Sequence, residues 1–231
     1  MSFSLAEMWQ HMGVPARIVG AFLALMGLAS LTVFFERLLT LRRSRAAARR
    51  FVSEVGDGLQ DGHVEGVLAE AAKHPRGHLP RLVQAALGTY CQARNAGDSA
   101  LSPVERTRRH LDRVLEQLGA DLRGGMAVLA SVGSVAPFVG LLGTVVGIIT
   151  AFQGIASSGS GGLSSVSAGI SEALVETALG LAVAIPSVLA FNYLSNEIAR
   201  DELALATSAG ELIDTIEGWD TDVEVPRERV A

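Results

Sequence analysis

Three stretches of this chain lack charged side chains, and their lengths set the first expectations. Ile18 to Phe35, "IVGAFLALMGLASLTVFF", is uncharged, and about 18 to 20 apolar residues suffice for a helix to cross the hydrocarbon core of a bilayer. A secretory signal core is usually shorter, roughly 7 to 15 residues, and is preceded by basic residues. Here the arginines follow, in "ERLLTLRRSRAAARR", so a retained anchor is expected. Gly124 to Ser171 is also uncharged but too long for one span, and it is interrupted by "GIASSGSGGLSS", Gly154 to Ser165, a loop composition. The third stretch runs from Thr177 to Asn196. Together the last two predict a helical hairpin, since a lone apolar strand would leave its backbone groups unpaired in lipid.

Between and after these stretches the pattern changes to a helical period with charge on one side. "VERTRRHLDRVLEQLGADL" places Val104, Leu111, Val114, Leu115 and Leu118 on one face. Ser102 is expected as N-cap and Pro103 as the first helical residue. "GHVEGVLAEAAKHPRGHLPRLVQAALGTY" reads as two shorter helices broken near Pro75, and "NEIARDELALATSAGELIDTIEGW" as an amphipathic continuation after Leu194. No internal repeat of 20 to 50 residues is visible.

Arginine placement orients the spans. Arg37, Arg42, Arg43, Arg45, Arg49 and Arg50 follow the first, Arg106, Arg108, Arg109, Arg113 and Arg123 precede the second, and Arg200 follows the third. The hairpin loop has none, and the N-terminal segment only Arg17. The expected organisation is therefore an outward-facing segment (1–17), span one (18–39), a helical cytoplasmic domain (40–125), span two (126–153), an outward-facing loop (154–165), span three (166–194), a cytoplasmic amphipathic helix (195–219) and a disordered tail (220–231). The arginine run at Arg42–Arg50 reads as a topology determinant and solvated face, with contact to anionic lipid or a cytoplasmic partner as its functional option.

Composition agrees with a membrane protein: 49% of residues are hydrophobic and 19% charged. A formal charge of −5 argues against nucleic-acid binding, and the single cysteine, Cys91, excludes an intramolecular disulfide framework or cysteine metal cluster. No phosphate loop of the form G-x-x-x-x-G-K-[ST] occurs, which removes an ATP-driven motor. All five histidines lie outside the spans, leaving no base for an intramembrane serine nucleophile. His74 and His78 have i, i+4 spacing, but Pro75 intervenes and no third ligand is evident; they read as a solvated pair, and no metal or cofactor is expected.

The hairpin itself carries the unusual chemistry. If its turn centres near Ser160, Thr144 and Thr177 lie at matched depth near the midplane, and Pro137 and Pro186 at similar depth beyond them. Each proline frees a carbonyl, Gly133 or Ala182, which needs a substitute partner such as Ser134 or Ser187. Gly140, Gly143 and Gly147 in "GLLGTVVG" read as close helix packing, a role compatible with a polar path beside Thr144. Glu172 and Glu176, four apart, share a helix face. A carboxylate at the bilayer centre costs on the order of 2.5–3.5 kcal/mol and normally faces a bundle interior or wet cavity. The competing reading starts the third span at Thr177 and leaves both glutamates in outside water.

"APFVGLLGTVVGIITAFQGIA" (Ala136–Ala156) and "GISEALVETALGLAVAIPSVLAFNYL" (Gly169–Leu194) resemble the MotA/TolQ/ExbB proton-channel family, in its three-span TolQ/ExbB branch. The resemblance implies an all-α inner-membrane protein forming a pentamer around a pore lined by its second and third spans. Two single-span TolR/ExbD-like partners would sit inside, each bringing a membrane aspartate. Protons, the coupling ion the resemblance implies, would drive rotation that powers outer-membrane transport, envelope maintenance or gliding; the residues alone leave proton and sodium coupling both open. Thr144 and Thr177 match the family's pore-facing hydroxyls, Glu172 its pore-side glutamate, and Pro137 and Pro186 its prolines. Glu176 departs from the pattern, where relatives often carry a small or hydroxyl residue. The other class of reading is a passive membrane scaffold that assembles partners without conducting.

Overall fold

The computed structural model describes residues 13–59, 62–96, 101–158 and 163–224. Among them every regular element is helical: α1 (Val14–Val55), a short 3-10 turn (Gly56–Leu59), α2 (Val64–Lys73), α3 (His78–Ala96), α4 (Pro103–Arg123), α5 (Met126–Ser158) and α6 (Leu163–Glu224). Residues 1–12, the centre of the expected loop and residues 225–231 lie outside the described set; the first part of the expected disordered tail, 220–224, is instead the end of α6.

Several helices outrun the expected boundaries. α1 does not stop near residue 39 but continues through the arginine run, because no glycine or proline stands between Glu36 and Val55. It ends at Gly56, whose φ of +51° suits glycine. α5 continues to Ser158 and α6 resumes at Leu163, so much of the Gly/Ser segment is helical rather than loop. α6 is one helix of 62 residues that covers the third span and the amphipathic segment after it without a break. Portions of α1, α5 and α6 are long and apolar enough to cross a membrane.

The chain divides into two compact units: residues up to Glu36 with Gly125–Ser195, and Arg37–Gly124 with the residues from Asn196 onward. The first, the hairpin unit, packs Leu23 of α1 against Val132 and Ala136 of α5 and Ala184 of α6, with Val19, Met26, Val139, Leu179 and Val183 around them. Its outward surface is apolar: Ile18, Leu25, Phe138, Leu174 and Leu189 are exposed. Only 17 to 22% of the most apolar part of each spanning helix is buried within the chain, so lipid or other chains must cover the rest.

The second, polar unit has a conventional core. Leu82, Leu87, Leu111, Leu118 and Ile216 are fully buried. Ser102 caps α4 as expected, its hydroxyl accepting the Glu105 N–H at 3.2 Å, with Pro103 as the first helical residue. Of the predicted apolar face of α4, Val104, Leu111 and Leu118 are buried, and Val114 and Leu115 partly so. Within the arginine run, Arg45 is drawn out of solvent: its Nε reaches both oxygens of Asp201 at 2.8 and 3.1 Å, and its Nη1 reaches Glu197 at 2.5 Å. Arg42, Arg43, Arg49 and Arg50 stay exposed.

Two titratable groups of this unit act in the same direction. The hydrogen bond from Arg45, with the charges of Arg45 and Arg200, holds the Glu197 carboxyl below the ordinary carboxylate range. Its contribution is present above the unfolded value and is lost as pH falls through the folded one. Burial, then the charge of Arg81, pushes the His78 imidazole down, so the folded state loses ground as pH drops below the ordinary histidine value. The thermal midpoint of the polar unit, read by circular dichroism, is expected to fall on acidification. The fall through the carboxylate range should be smaller in Glu197→Gln.

Candidate functional site

The α5–α6 hairpin is built on a seam of small residues. A Cβ added to Gly140 would lie 2.7 Å from the Glu176 carbonyl oxygen and 3.2 Å from the Cα atoms of Thr177 and Gly180. One added to Gly180 would lie 2.7 Å from the Ala136 carbonyl oxygen. Further along, Gly147 faces Ala173, Gly169 faces Ala151 and Gly133 faces Val188. The facing pairs sum to about 320, the register of an antiparallel hairpin centred at residue 160. Gly140 and Gly147 thus pack helix on helix. Gly143 does something different, because a Cβ there would collide with Glu176 Oε2.

A separate stripe of α6 faces α1. Glu172 Oε1 accepts the Gly13 N–H at 2.7 Å, at the start of α1. Val183 lies where a side chain on Gly27 would go, 3.3 Å away. Ser187 Oγ lies 2.7 Å from Ser30 Oγ. Since Ser187 already donates its proton to the Val183 carbonyl at 2.8 Å, Ser30 is the donor between the two. Glu176 belongs to this stripe, with Val19 of α1 close to the Gly143 position it occupies.

Successive helical residues are about 100° apart. Thr177, next to Glu176, and Thr144, next to Gly143, therefore turn toward the side of the seam away from α1. Both are half-buried, and the Thr144 hydroxyl donates to the Leu141 carbonyl at 2.7 Å. The structure thus brings Thr144 and Thr177 to one side and Glu172 and Glu176 to the other. It does not gather all four on a single wall.

The two prolines sit inside unbroken helices, Pro137 in α5 and Pro186 in α6. The expected substitute donors are engaged elsewhere: Ser134 donates to Ser131 and Ser187 to Val183, not to Gly133 or Ala182. Pro186 instead lines a groove of about 480 Å³ with Gly27, Ser30, Phe34, Ser187 and Tyr193. The two histidines read as a solvated pair are separately engaged. His78 is buried against Ser44, and His74 Nε2 lies 2.9 Å from Glu54 and 3.8 Å from Glu70. The ligand-capable atoms of Glu54, Glu70 and His74 lie within 4.8 Å of one another. Lys73 already sits on Glu70 at 2.5 Å, and the cluster is accounted for by that ion pair and the contact of His74 with Glu54. Sequence spacing alone missed Glu54, which is 20 residues from His74 and joins it only through the fold. It also missed Gly180, although the register that pairs Thr144 with Thr177 assigns Gly180 to Gly140.

Comparison with known proteins bears on the same segment. Residues 79–206 match the MotA/TolQ/ExbB proton channel family. The chain is similar to the biopolymer transport protein ExbB of Neisseria gonorrhoeae, 36% identical over 187 residues, covering 77% of this chain and 82% of that protein. Against the protein of the same name from Pseudomonas putida it is 31% identical over 212 residues, 89% of this chain and 61% of the relative. Against that of Xanthomonas campestris it is 47% identical over 96 residues, 42% of this chain and 38% of the relative. The chain thus spans less than two thirds of each of these last two relatives, 61% and 38% of their lengths.

Proposed function

Because the chain belongs to the MotA/TolQ/ExbB proton channel family, we propose that it is a bacterial inner-membrane energiser subunit, a channel component and not an enzyme. It conducts protons with a TolR/ExbD-like single-span partner and passes the resulting force to the cell envelope. In this reading five copies surround two partner helices, with the N-terminus periplasmic and the C-terminus cytoplasmic. The relatives' name, biopolymer transport protein, favours transport over envelope maintenance or gliding as the work performed.

The observation that carries the reading is the sidedness of the hairpin. Thr144 and Thr177 lie at one register on the side that α1 leaves uncovered, where a partner helix has access to them. A hydroxyl both donates and accepts, so the pair offers hydrogen bonds to a protonated carboxyl travelling past an otherwise apolar wall. A neutral acid crosses such a wall more cheaply than a charged one. Each elementary charge falling through about 100 mV releases roughly 2.3 kcal/mol, the source of the work.

Thr177→Val keeps shape and removes the hydroxyl. In proteoliposomes holding the complex with its partner, proton flow is expected to drop at least about tenfold, equivalent to a hydrogen bond of roughly 1.4 kcal/mol, with assembly unchanged on size-exclusion chromatography. Glu172→Gln is expected to reduce flow as well. Normal flow and normal envelope function in both variants would leave the passive-scaffold reading in place.

A further inference from the structure

Glu176 has no exposed surface, and neither carboxyl oxygen has a hydrogen-bond partner among the described residues. Buried polar groups are nearly always paired, so an orphan of this kind calls for an explanation. The slot around it is made by what is missing. Gly143 leaves the space that Oε2 fills, and Gly140 admits the backbone of the same residue. Val19 of α1 closes the slot from the third side. The charged group that acts on it is Glu172, one helical turn away, half-buried and bonded to the start of α1.

The chemistry of the slot selects its ligand. A metal cation needs several oxygens around it, and here Glu176 stands among glycine and valine. A proton needs one lone pair and no extra room.

We propose that Glu176 is a proton-exchange residue, a carboxyl in a glycine-walled slot under Val19 of α1 that trades its proton with Glu172. The step balances by itself: the proton leaves one carboxyl oxygen and lands on the other, and the negative charge moves the opposite way. Side chains four apart on a helix are neighbours, about 5–6 Å between Cβ atoms, so one water or one rotamer change bridges them. This rests on the proton-conducting reading above, and places one step of it on the α1 side of the hairpin, away from the threonines.

The test is pH-difference infrared spectroscopy of the wild-type protein and its variants in lipid nanodiscs, paired with proton flow through the complex. A carboxyl C=O band that changes with pH and shifts in heavy water is expected in wild type, absent in Glu176→Gln and retained in Thr177→Val. Gly143→Ala, which intrudes on the slot, should move its frequency. Proton flow in Glu176→Gln should fall at least about tenfold, less than the roughly hundredfold that positioned proton-transfer groups commonly contribute. A Glu176→Gln difference spectrum that superimposes on wild type overturns the proposal, as does a lost band with unchanged flow. If Glu176→Gln does not assemble, Glu176→Asp answers the same question, because its shorter reach must shift the band. A Thr177→Val complex that conducts normally removes the threonine path without touching the spectroscopic result at Glu176.

Discussion

Replacing Gly180 with valine is expected to force α5 and α6 apart and to destabilise the hairpin by about 3 kcal/mol or more, the upper end of what overpacking usually costs. The obstacle to a new Cβ is backbone: the Ala136 carbonyl oxygen at 2.7 Å and Gly140 Cα at 3.1 Å. A side chain in the way can change rotamer, whereas a helix must move bodily. Lipid tails are as apolar as the seam, so nothing drives the helices back together once close packing is lost. Gly140→Val should behave alike, since its Cβ meets the Glu176 carbonyl. Gly88→Ala in α3, where a Cβ meets nothing within 4 Å, should be neutral or slightly stabilising. The measurement is the temperature at which the detergent-solubilised protein leaves its size-exclusion peak. A Gly180→Val protein as heat-resistant as wild type would show that the seam is not closely packed.

Truncating Leu118 to alanine should cost the polar unit about 2–5 kcal/mol, the transfer energy of the lost atoms plus the cavity they leave. Leu118 is fully buried on α4, while Leu115, on the same helix, is only half-buried. Leu115→Ala should therefore cost distinctly less. Cys91 is the chain's single cysteine and lies partly buried on α3 of the same unit, so the rise of its maleimide labelling rate above that of the folded protein on heating tracks the opening of this core. Equal labelling profiles for the two alanine variants would contradict the burial pattern.

What the sequence made legible follows from two kinds of signal. Long uncharged runs gave the three spanning helices, and the cap at Ser102 with the apolar period after it gave α4 nearly to the residue. These are local properties. Boundaries were less legible because no residue marks the place where a helix leaves an apolar environment. α1 runs past Arg42, since arginine and alanine are good helix formers in either setting, whereas the continuation of α6 past Leu194 was expected from its amphipathic period. The sidedness of the hairpin was hidden for another reason. Spacing shows that Glu172 and Glu176 share a face, but only the packing of α1 decides which way that face looks. The same limit hid the Arg45 cluster, whose carboxylates are more than 150 residues away.

The bond between Glu172 and the Gly13 N–H makes this residue a fastener as well as an acid. A carboxylate at a helix N-terminus is favoured by the dipole, typically by about 0.3–1 kcal/mol, and α1 takes its anchorage from a residue that sits on α6. An amide at position 172 can still accept that N–H, while a methyl group cannot. Glutamine there isolates the loss of charge, and alanine would unfasten the front of the first span at the same time. A null phenotype from alanine alone would therefore not distinguish a blocked relay from a slipped helix.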